Sequence, residues 1–186
     1  GVIRHNAQGG LIQTENQLDL AIEGRGYFVV NRPDGRQAFT RDGNFQLSAQ
    51  GQLVTLNGYE VEPAIVVPEL TRQVEINQFG VVMAYVENNP NPVELGQLNF
   101  ATFLNEAGLK PVGDNLMEQT SASGEAVQST PGTPGVGITR QGYLEQSNVN
   151  IIQQITDLIS AQRAYEMNSK AIETADQIMT TTNQIK

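Results

Sequence analysis

Few side chains in this sequence could carry a reaction. His5 is the only histidine among 186 residues and cysteine is absent, so disulfides, thiolate metal sites and cysteine nucleophiles are excluded. A Ser-His-Asp arrangement would have to recruit His5 from the first residues, where a solvated imidazole is the plainer reading. Glu60 and Glu62 have the types to flank a sugar, but two residues apart on a strand they share one face and read as solvated acids. The stretch EGRG at 23–26 lacks the third glycine and the helix of a dinucleotide fingerprint. DGNFQLSAQGQ offers one acid where a calcium loop needs several. Tyr27, Phe28, Phe39 and Phe45 could stack on a saccharide, yet they fall at inward-alternating strand positions and are expected in the core. No catalytic, cofactor-binding or metal-ligating residue is expected, and no enzyme.

Charge narrows the partners. The net charge is −9, and no basic patch exists to neutralise phosphates, which argues against nucleic acid. Sixteen acids and eight bases lie in residues 1–148, against four and three in 149–186. The acidity therefore belongs to the front of the chain, where it reads as a solvated surface. With 39% hydrophobic residues a packed core is expected. No apolar run reaches membrane-spanning length, so no membrane insertion is expected. GVIRHNAQGG has neither an apolar leader nor an initiator methionine, so the chain reads as beginning inside a longer protein.

From about Thr14 to Thr102 short β-rich runs alternate with turn dipeptides. LDLAIEGRGYFVV is broken at Gly24 and Gly26, as a bulge or bend would break it. Asp34-Gly35 and Asp42-Gly43 punctuate the next runs, and Asn57-Gly58 gives the strongest type I′ hairpin signal. With QAFT, NFQLS, QLVTL, YEVEP, AIVVP, QVEIN, GVVMAYVE and VELGQLNFATFL these make eight or nine candidate strands. Spacing near ten residues without helical crossovers predicts antiparallel structure. Residues 121–137, rich in Ser, Thr, Gly and Pro, read as a loop.

After Gly142 no glycine occurs, and after Pro134 no proline. From Val149 to Ile185 the apolar residues take a helical period, with Ile151, Leu158, Tyr165, Ile172 and Met179 at seven-residue intervals. Asn148 and Asn150 offer N-caps, and Gln153 sits where a capping-box partner would. Glu166 and Lys170 have the spacing of an i,i+4 pair. A helix of that span is about 55 Å long, beyond the roughly 30–40 Å breadth of a compact domain of this size. Either it folds back on the sheet or its stripe is covered by other chains, and length favours the second. Gln162, Ser169 and Asp176 interrupt the other core register, which suits a many-helix assembly better than a two-stranded coil. The fold class expected is mainly β with a long C-terminal α-helix: an antiparallel β-rich body plus an extended coiled-coil-like helix.

Four separated motifs, LDLAIEGRGYFVV, DGRQAFTRDGNFQLSAQGQLVTLNGYEV, QGYLEQSNVN and AQRAYEMNSKAIETADQIM, together resemble the bacterial flagellar rod and hook family, closest to its distal-rod branch. The resemblance runs from about Thr14 to Lys186. It implies a connecting segment at 1–13, downstream of a helix the family carries, then a β-rich body at 14–120. A Gly/Pro/Ser-rich loop with a return strand would follow at 121–148, and a core-tube helix at 149–186. It also implies a homo-oligomeric helical filament, hollow around an export channel, that transmits torque across the periplasm. Its partners would be other rod subunits, the hook protein and the surrounding ring bushing. Assembly contacts are expected at Ile151, Ile155, Leu158, Arg163, Tyr165, Glu166, Ile172 and Met179, and the body–helix join at Gly142, Tyr143, Asn148 and Asn150. The alternative from a different class is a secreted β-domain binding glycan or peptidoglycan, with the helix as a dimerisation arm.

Overall fold

The computed structural model of the chain describes residues 7–87, 89–149 and 151–184, without the side chains of 151, 176 and 179–184. The expectations for His5 and Asn150, and for the side chains of Ile151 and Met179, lie outside the described residues. The chain divides into two compact units, Gly1–Ser147 and Asn148–Lys186.

The first unit is built from short strands: β1 (Leu11–Gln13), β2 (Leu20–Glu23), β3 (Tyr27–Asn31), β4 (Gln37–Thr40), β5 (Phe45–Leu47), β6 (Leu53–Thr55), β7 (Glu60–Glu62), β8 (Thr71–Ile76) and β9 (Val81–Val86). They continue with β10 (Val93–Gln97), β11 (Phe100–Thr102), β12 (Lys110–Gly113), β13 (Leu116–Glu118), β14 (Val127–Ser129), β15 (Ile138–Gln141) and β16 (Tyr143–Glu145). A nine-stranded sheet runs β12-β13-β4-β3-β7-β6-β5, with β11 joining β3 to β14. β8, β9 and β10 form a three-stranded sheet, and β2–β15 and β1–β16 are two-stranded ribbons. All the strand pairings are antiparallel, as the spacing predicts.

Four hairpins close with one device, at 32–36, 48–52, 55–59 and 77–81. In each, the first residue donates its amide to the fifth residue's carbonyl, and the glycine at the fourth position donates to the first residue's carbonyl. Those glycines, Gly35, Gly51, Gly58 and Gly80, have φ of 78°, 77°, 82° and 77°, the left-handed position of a type I turn with a bulge. The expected type I′ turn at Asn57-Gly58 is thereby corrected. Such a turn needs positive φ at both residues. Among described non-glycine residues only Asp114 (φ 52°) and Asn115 (φ 58°) have it, and they close the β12–β13 hairpin. Three other expectations change. AIVVP forms only an isolated bridge, Gln52 to Val66, flanked by Pro63 and Pro68, which have no amide to donate. VELGQLNFATFL divides into β10 and β11, which join different sheets. The 121–137 loop contains β14.

The aromatic residues divide by face of the main sheet. Phe28 meets Phe45 and Phe100 edge-on, with centroids 5.0 and 5.3 Å apart; all three belong to the larger core with Leu20, Ile22 and Leu98. Tyr27, Phe39 and Phe103 form the second core with Val29, Ala101 and Leu109. All four aromatics weighed as a saccharide platform are buried. Glu60 is exposed and Glu62 half-buried, the latter accepting a 2.7 Å hydrogen bond from Gln37.

The second unit is one helix, α1 (Ile151–Gln184), of 34 residues, about 51 Å at 1.5 Å per residue.

Candidate assembly elements: the stem and the helix

β15 and β16 are separated only by Gly142, yet they pair with different partners. β15 runs beside β2, with Gln141 opposite Leu20. β16 runs beside β1, with Tyr143 opposite Gln13 and Glu145 opposite Leu11. The change of partner falls on Gly142, whose φ is +74°; its amide donates to Asp19 O (2.7 Å) and its carbonyl accepts from Thr14 N (2.6 Å). A side chain would resist that left-handed conformation. The ribbon of β1 and β16, hereafter the stem, continues through Gln146 N donating to Gly10 O at 2.8 Å. The chain thus enters and leaves the body side by side.

Of the expected join residues, Gly142 and Tyr143 lie in this stem region, whereas Asn148 falls in the helical unit. Sequence reasoning missed Gln141. Its Oε1 accepts from Ile76 N (3.0 Å), and its Nε2 donates to Val74 O and Gln17 O, both at 2.8 Å. Gln17 Oε1 in turn accepts from Val74 N at 3.2 Å. Two glutamine side chains therefore satisfy three backbone groups on the outer edge of β8, Val74 N, Val74 O and Ile76 N, which would otherwise be open to another strand. An amide side chain inside QGYLEQSNVN was the only signal, and its partners lie over 60 residues away.

In α1 every described side chain is exposed. Ile155 is 52% exposed, Leu158 60%, Tyr165 78% and Ile172 65%. Arg163 and Glu166 are exposed as well. The ion pairs among described residues all lie in the body, so the expected Glu166–Lys170 pair is not closed. In water such a pair contributes only tenths of a kcal/mol, about the cost of holding two long side chains in place. Apolar residues are not confined to the heptad stripe: Met167 follows Tyr165 by two positions, about 200° around the helix. Short hydroxyls bond back to the preceding turn, Thr156 to Ile152 O and Ser160 to Thr156 O, both at 2.9 Å. No helix among the described residues is long and apolar enough to cross a membrane.

This arrangement offers surfaces and joints. Burial, aided by the Glu106 carboxylate, pushes the Tyr27 phenol up to about 12.

Comparison with known proteins identifies the family. The flagellar hook protein FlgE/F/G D1 domain matches residues 21–84 and the flagellar basal body rod FlgEFG protein C-terminal region matches residues 140–185. The flagellar basal-body rod protein FlgG of Caulobacter vibrioides is 47% identical over 185 residues, covering 100% of this chain and 71% of that protein. FlgG of Buchnera aphidicola from Acyrthosiphon pisum is 44% identical over 98% of this chain and 70% of its own length. FlgG of Agrobacterium fabrum is 50% identical over 93% of this chain and 66% of its own. The chain belongs to the FlgE/F/G family of flagellar hook and basal-body rod proteins, as a structural subunit of the rod.

Proposed function

We propose that this rod subunit polymerises with copies of itself through α1, in a hollow helical filament that transmits torque and surrounds an export channel. The exposed apolar length of the helix carries this reading. An isolated narrow stripe is marginally stable in water, and a repeated non-closing contact between identical chains generates a helix. Ile151, Ile155, Leu158, Tyr165, Ile172 and Met179 make the apolar contacts between neighbouring helices, and Arg163 and Glu166 the polar ones. Apolar residues around more than one side of α1 favour several neighbours over a single coiled-coil partner. Gly142, Tyr143, Asn148 and Asn150 fix the join, with 1–13 connecting, 14–120 as body, 121–148 as loop and return strand, and 149–186 lining the tube. Other rod subunits, the hook protein and the ring bushing are the remaining partners, and no cofactor or catalysis is involved. The glycan-binding alternative finds no support among the matched proteins.

The test is Leu158→Asp, compared with the parent by sedimentation and electron microscopy under polymerising conditions. Extended polymers from the parent and none from the variant are expected. Normal polymers from the variant would remove the helix from the contact, and a saccharide-dependent dimer would restore the alternative.

A further inference from the structure

The stem strand β16 ends at Glu145, whose side chain meets an arginine 104 residues earlier. Arg41 follows β4 directly. Its Nε and Nη2 lie 2.9 and 2.7 Å from Glu145 Oε2. Its Nη1 donates to Gly24 O (2.8 Å) and Gly26 O (2.7 Å), and its Nη2 to Ile22 O at 3.3 Å. One guanidinium thus spans the stem and the β2–β3 corner, and stands 5.9 Å from the centroid of the Tyr27 ring. Glu145 does the same from the other side: its Oε1 accepts from Gly9 N at 2.9 Å. Gln8 completes the clasp, donating to Ile22 O (2.8 Å) and accepting from Gly24 N (3.0 Å). Incoming chain, outgoing chain and corner therefore converge on two side chains, Arg41 only 24% exposed and Glu145 13%.

We propose that Arg41 is a positioning residue that locks the β1–β16 stem to the β2–β3 corner, so that stem and body move as one piece. The planar five-donor fork is required, because a single ammonium cannot reach three carbonyls and a carboxylate together. A rod that transmits torque needs such a rigid joint; that use rests on the proposed function, whereas the lock itself does not.

Residue-resolved amide exchange on the soluble full chain tests it, and reads nothing about polymerisation, so it stands or falls apart from the rod reading. In Arg41→Met, which keeps the aliphatic volume, the amides of Gly9 and Gln146 should lose protection by roughly ten- to hundredfold, the scale of losing hydrogen bonds to a charged group. Those of Val29, Val30 and Leu53 should stay within roughly twofold, the separation expected of local and global opening. Arg41→Lys should not rescue the stem. Arg140→Gln, which breaks the more exposed Arg140–Glu23 pair (side chains 52% and 46% exposed), should leave the stem unchanged. If Arg41→Met fails to fold, Glu145→Gln makes the same test from the stem. Equal loss of protection in core and stem would reduce Arg41 to a general stabiliser, and an unchanged stem would overturn the lock outright.

Discussion

The body and the helix treat the same kind of residue in opposite ways. Phe28, Phe45, Phe100, Leu20 and Ile22 are sealed within one core, whereas Ile155, Leu158, Tyr165 and Ile172 stand more than half exposed along α1. A body of strands three to six residues long is cooperative because hairpin pairs are tied together by partners distant in sequence, as β13 beside β4, β11 beside β3 and β15 beside β2, so its stability is internal. A helix is hydrogen-bonded within itself and can be continuous without burying anything, which leaves its apolar residues available to the neighbouring helices proposed above. On the proposed function the difference separates what folds the subunit from what joins subunits, and each substitution below probes one side of it.

Phe28→Ala should have the largest effect on stability. The ring is fully buried between Phe45 and Phe100, and removing a buried phenylalanine costs about 3–5 kcal/mol. Denaturant unfolding followed by near-ultraviolet signals should show that loss in the body. A cost below about 1 kcal/mol would mean that the edge-on cluster is not the centre of the core.

Gly43→Ala should follow, at about 2–3 kcal/mol by the scale of overpacking. An added Cβ would lie 1.6 Å from Leu20 O, and this is backbone that cannot rotate away. Gly43 O also accepts from Leu20 N at 2.9 Å, so the two segments cannot part without losing that bond. A midpoint unchanged from the parent would contradict that close approach.

These two positions also mark what the sequence discloses. Phe28 was legible as core because inward alternation is local, and the antiparallel class was legible because turn glycines recur near ten residues. Gly43 was legible as a turn residue but not as a contact, because Leu20 is 23 positions away. Asn57-Gly58 misled for a related reason: the dipeptide fits two kinds of loop, and the bulged one used at three other hairpins prevails here. The 110–118 hairpin and β14 escaped because their short strands, KPVG, LME and VQS, lack the flanking Asp-Gly or Asn-Gly that marked equally short strands elsewhere. The stripe of α1 was readable over four heptads. The clasp of Gln8, Arg41 and Glu145 was not, since ordinary polar residues acquire roles only when the fold brings them together.

Tyr27 tests the second core through pH. Its phenol is raised from 10.0 to about 12, first by burial and then by the Glu106 carboxylate. An unfolded chain releases this proton near pH 10 while the folded one keeps it, so the unfolded state binds fewer protons and stability falls as pH rises from 10 to 12. Below pH 10 the contribution is fully present. Tyr27→Phe should flatten that alkaline fall while preserving the edge-on contact with Phe103 at 5.8 Å. Identical slopes in parent and variant would place the alkaline sensitivity elsewhere.

Leu158→Ala should have the smallest effect on the isolated chain, though it removes nearly as much apolar surface as many core truncations. The parent side chain is 60% exposed, so little transfer free energy is lost and no cavity forms. The body's unfolding midpoint should correspond to a change within about 0.5 kcal/mol. Alanine is also the better helix former, so helical circular dichroism should hold or rise. A loss near that of Phe28→Ala would show the helix packed on its own sheet and would break the division between folding and joining surfaces. An unmoved midpoint together with impaired polymerisation would sharpen it, because the same side chain would then matter only in the company of other chains.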